Sequence, residues 1–69
     1  MAQKAPYALY FIGKEGTYNT KITSGKYSEM SRAKALLVQD HSPAYARRHS
    51  MSKEKAAEEL REQYEIKEN

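Results

Sequence analysis

Ser28-Glu29-Met30-Ser31-Arg32-Ala33-Lys34-Ala35-Leu36-Leu37-Val38-Gln39-Asp40 carries the clearest helical periodicity in the chain. Met30, Ala33 and Leu37 recur at i, i+3 and i+7, and Leu36 widens the apolar stripe, which is the spacing of one buried helix face. Arg32, Lys34 and Gln39 then fall toward solvent. Ser28 or Ser31 can cap the start, because a hydroxyl accepts from an orphan amide of the first turn. The spacing predicts a helix over residues 28–40.

Upstream, Tyr7-Ala8-Leu9-Tyr10-Phe11-Ile12 is a run of mostly β-favouring residues stopped by Gly13. Tyr7, Leu9 and Phe11 point one way and Ala8, Tyr10 and Ile12 the other, so both faces want cover. Gly13-Lys14-Glu15-Gly16 supplies a reversal, and residues 17–23 alternate with Tyr18, Thr20 and Ile22 on one face. An antiparallel hairpin over residues 7–23 is expected, preceded by a flexible lead-in over residues 1–6.

Downstream, a proline disfavours the helical region for the residue before it, so the first helix is expected to end ahead of Pro43. A short helix over residues 43–49 then starts with Ser42 as its cap. It is too short for the recognition element of a helix-turn-helix. Ser50 and Ser52 offer further caps, and Ala57, Leu60 and Tyr64 at i, i+3 and i+7 predict a last helix over residues 52–66, with residues 67–69 frayed. The expected fold is one small α+β domain of ββααα order, a two-stranded hairpin followed by two or three helices.

The 69 residues contain no cysteine, which excludes a disulfide and a thiolate zinc site. Domains this small normally need a staple, so a partner is expected. Edge pairing of two hairpins into a homodimer is one way to supply it. No apolar run approaches the ~18 residues of a membrane span and no signal-peptide core is seen, so no membrane contact and a cytoplasmic location are expected. The net charge of +3 is uneven: residues 1–50 carry eight Lys/Arg against three Asp/Glu, and residues 51–69 four against six.

No arrangement of nucleophile, base and orienting acid is legible, and no nucleotide-binding pattern accompanies Ser24-Gly25-Lys26, whose amides could at most hold an anion at a helix start. Asp40, His41 and His49 do not match zinc spacings. The chain is therefore read as a non-enzymatic binding protein without metal or cofactor. Another protein is the expected partner, as for an inhibitor or adaptor of a larger complex. Tyr10 and Ile12 on the second strand face, and the acidic Glu58, Glu62 and Glu65, are its candidate contacts. The alternative is nucleic-acid binding through Tyr45, Arg47 and Arg48, extended by Lys21, Lys26, Arg32 and Lys34, because guanidinium forks fit phosphates and tyrosine stacks on unpaired bases. A solvated basic surface has the same composition.

Overall fold

A computed structural model of the chain describes residues 5–69, so the first four residues of the expected lead-in lie outside the described residues. The elements are β1 (Tyr7–Phe11), a 3₁₀ turn (Lys14–Gly16), β2 (Thr20–Gly25), α1 (Tyr27–Arg48), α2 (Lys53–Glu62) and β3 (Tyr64–Glu68). The order is ββααβ, and the sheet has three antiparallel strands in the order β2-β1-β3. This corrects the expected two-stranded hairpin with two or three helices behind it.

The third strand comes from the end of the expected last helix. In Tyr64-Glu65-Ile66-Lys67-Glu68 the apolar side chains alternate, and Tyr64 and Ile66 are β-favouring. Tyr64 is equally compatible with the helical spacing from Ala57 and Leu60. What separates the two readings is β1, the most apolar strand, which is satisfied only with a neighbour on each side. Leu9 pairs with Thr23 and Ile66, and Phe11 with Thr20 and Tyr64. Nor is the C-terminus frayed. Asn69 donates its backbone amide to the Pro6 carbonyl at 3.2 Å and its side-chain amide to that of Ala5 at 2.6 Å.

α1 is one helix of 22 residues that runs through Pro43, in place of the expected helix 28–40 and separate helix 43–49. Pro43 has no N–H to offer and restricts Ser42, a combination that costs roughly 3 kcal/mol inside a helix. Packing outweighs it. The buried stripe continues from Met30, Leu37 and Val38 across the proline to Ser42 and Tyr45, and the Ser42 hydroxyl donates to the Val38 carbonyl. Leu36, expected in the stripe, is 50% exposed on the outer side of the helix. After the turn at residues 49–52, the Ser52 hydroxyl caps α2 by accepting from the Lys55 amide at 3.2 Å.

The helices pack on the Leu9 side of the sheet. Leu9, Met30, Val38, Leu60 and Tyr64 form the core, with Tyr7, Phe11, Ala33 and Ile66 against it. The other side carries Ala8, buried between Ser24 and Lys67, and Tyr10 between Lys21 and Glu65. At about 33 Å, α1 is longer than any strand, and the molecule measures 48 Å in its longest dimension.

The β1–β2 reversal depends on Gly13, at φ +72°. A Cβ built there would lie 2.5 Å from a ring carbon of Tyr18, whose amide donates to the Ile12 carbonyl at 2.8 Å. Gly13→Ala therefore combines a left-handed backbone with a steric clash and is expected to lower stability by about 1–3 kcal/mol in urea unfolding.

Candidate functional site

The residues expected to meet a protein lie in two places. Ile12, Glu58, Glu62 and Glu65 line one shallow depression where β1, β3 and α2 meet, with Arg61 among them. Tyr10 lies on the outer sheet face, half-buried, with the Lys67 ammonium 5.3 Å from its ring centroid. Lys67 also approaches Glu65 at 3.9 Å. The acidic set is thus interrupted by the cation of Arg61, and Tyr10 is already covered by a cation from its own chain.

The basic candidates are dispersed rather than joined in one patch. Lys21 stands on β2, opposite Tyr10. Lys26 is the N-cap of α1, and its amide donates to the Glu29 carboxylate at 3.2 Å, so the chain's own anion occupies the helix start that follows Ser24 and Gly25. Arg32 and Arg48 are separated by about 24 Å of helix. Arg47 and Arg48, adjacent in sequence, diverge by about 100° around α1. Arg48 overhangs a cleft bounded by Phe11, Tyr45 and Tyr64, which Arg47 does not line. Tyr45 is half-buried there, its hydroxyl accepting from the Gln63 side chain at 3.1 Å. Burial raises the Tyr64 phenol above its ordinary value of 10.0. Asp40, His41 and His49 do not converge: among the described residues no three His, Asp or Glu side chains form a group that could hold a metal.

A larger concavity lies elsewhere, between α1 and α2, with a volume of about 710 Å³. Val38, Ala57 and Ile66 make an apolar floor, and Lys34, Lys53 and Arg61 stand on the rim with Glu54. Tyr27 closes one end, its ring edge-on to Tyr7 at 5.4 Å. Among the described residues the only ion pair joins Lys67 to Glu65, so none of the three rim cations is ion-paired there, although Lys34 and Arg61 also border the depression that holds Glu58, Glu62 and Glu65. Of the three rim cations only Lys34 is among the candidates legible in the sequence. The available signal was the seam Tyr27, Ser31, Lys34, Val38, Ser42 at i, i+4, i+7, i+11 and i+15, which is legible only if the helix continues to Ser42.

The chain matches no protein-family model, no curated protein and no solved structure. Among the described residues no helix is long and apolar enough to cross a membrane.

Proposed function

We propose that this chain is a non-catalytic binding protein that receives an acidic, partly apolar segment of a protein partner in the groove between α1 and α2. The observation that carries this reading is the set of three unpaired cations, Lys34, Lys53 and Arg61, around an apolar floor. Its volume falls in the range of about 300–1,000 Å³ typical of ligand sites. Carboxylates on the partner would neutralise the rim while apolar side chains cover Val38, Ala57 and Ile66.

The groove is preferred over the Tyr10/Ile12 face because Lys67 already covers Tyr10, and over Glu58, Glu62 and Glu65 because the depression they line is smaller, about 520 Å³ against 710 Å³. Pairing of two copies through the sheet would have to use the outer edge of β2 or β3, since β1 is flanked on both sides. Lys21 and the extra residue Ile22, bulged between the Leu9 and Tyr10 pairs, guard β2, and Glu65, Lys67 and Glu68 guard β3. An inhibitor or adaptor of this kind would meet its partner in the cytoplasm, a reducing compartment that suits a chain without cysteine.

The test places a photo-crosslinking residue at Ala35 or Gln39, inside the groove, and at Leu36 or Tyr10 outside it. An acidic protein is expected to couple from the groove positions alone, and to be lost with Lys34→Glu/Arg61→Glu. Coupling from Tyr10 as strong as from Gln39, or indifference to the charge reversal, would overturn the assignment.

A further inference from the structure

A second concavity shares no residue with the groove. It lies under the last two turns of α1, has a volume of about 390 Å³ and opens onto the aromatic end of the core. Phe11 and Tyr64 form one wall, their ring centroids 5.3 Å apart and tilted by 52°. Tyr45 forms another, with the imidazole of His49 4.3 Å from its ring. His41, Tyr45, Arg48 and His49 are at i, i+4, i+7 and i+8 of a single helix, so the continuity of α1 through Pro43 is what brings all four to one cleft.

We propose that this cleft takes one unpaired nucleotide of a single-stranded nucleic acid, the base against the half-buried rings of Phe11 and Tyr45 and the phosphate on Arg48. Aromatic walls accept any base through its π-face, and a guanidinium fork fits a phosphate. No carboxylate lines the cleft to repel the phosphate. Tyr45 is held in place by Gln63, so the stacking surface is ordered before the ligand arrives. The adjoining α1–α2 turn, Arg47-Arg48-His49-Ser50-Met51-Ser52-Lys53-Glu54-Lys55, carries four Lys/Arg and one Glu, a basic track for the neighbouring phosphates. A duplex is the wrong ligand, because its bases are stacked on one another and cannot enter.

The two adjacent arginines provide the test. Anisotropy of a fluorescein-labelled ten-residue oligothymidylate is followed at about 50 and 200 mM salt, with the corresponding duplex as competitor and circular dichroism to confirm folding of each variant. The intact chain is expected to bind the single strand at least about tenfold more tightly than the duplex. Arg48→Ala should weaken binding about tenfold and Arg47→Ala by no more than about twofold, since only Arg48 overhangs the cleft. Equal loss in the two variants, equal affinity for the duplex, or no binding at the lower salt would overturn the proposal. Lys34→Ala, in the groove, should leave single-strand binding within about twofold, which keeps this site separable from the protein-binding groove.

Discussion

Leu9→Ala is expected to lower the free energy of unfolding by about 3–5 kcal/mol and to leave a large fraction of the chain unfolded at 25 °C. Leu9 is fully buried on the central strand and packs in the cluster with Met30, Val38, Leu60 and Tyr64. Truncation there removes a side chain of the cluster to which both helices and β3 contribute. The close-packed surroundings are β1 backbone, flanked on both sides, and α1, so the cavity cannot collapse cheaply. A domain of this size holds only ~3–10 kcal/mol in total. Chemical unfolding followed by circular dichroism measures the loss. A decrease below ~1 kcal/mol would mean that Leu9 does not sit in the core.

The second large effect has the opposite sign. Pro43→Ala is expected to stabilise the protein by about 1–2 kcal/mol, raising Tm by roughly 5–15 °C. Alanine restores an N–H for the Gln39 carbonyl and relieves the restriction on Ser42, worth up to ~3 kcal/mol in a helix interior. Part of that gain is offset by the freedom the unfolded chain recovers when proline is removed, roughly 0.4–1 kcal/mol. Were Pro43 the first residue of a separate helix, its fixed φ would be favourable and its removal would destabilise. The sign of the Tm change in a thermal melt therefore distinguishes one long helix from two.

Pro43 also explains why the candidate sites could be read only in part. Its local effect is strong, and nothing in the sequence shows that α2 offers packing to both sides of the break. With the helix divided at Pro43, His41 falls outside the helix that carries Tyr45, Arg47 and Arg48. On one continuous helix, Arg48 joins His41, Tyr45 and His49 over the aromatic cleft and Arg47 turns away. The groove was out of reach for a related reason. Lys34, Lys53 and Arg61 come from two helices whose register depends on where α1 ends, and Ile66 reaches the floor only as part of a strand.

By itself the sequence determined the elements whose signals are local. The β-favouring run Tyr7–Phe11 makes a strand, the two glycines around Lys14 and Glu15 make the reversal, Met30, Ala33 and Leu37 make a buried helix face, and Ser52 caps the next helix. Each follows from side-chain spacing or a single backbone preference within a few residues. Only the tertiary structure decided the fate of Pro43, of Tyr64–Glu68 and of Leu36. In each of them the local preference is weak or points the wrong way, and the outcome rests on partners far along the chain. The apolar stripe of α1 gains more from continuous burial than the proline costs. β1 gains a second neighbour when Tyr64 and Ile66 leave the helical period. Leu36 is left in solvent because Val38, one residue off the expected stripe, faces the core instead.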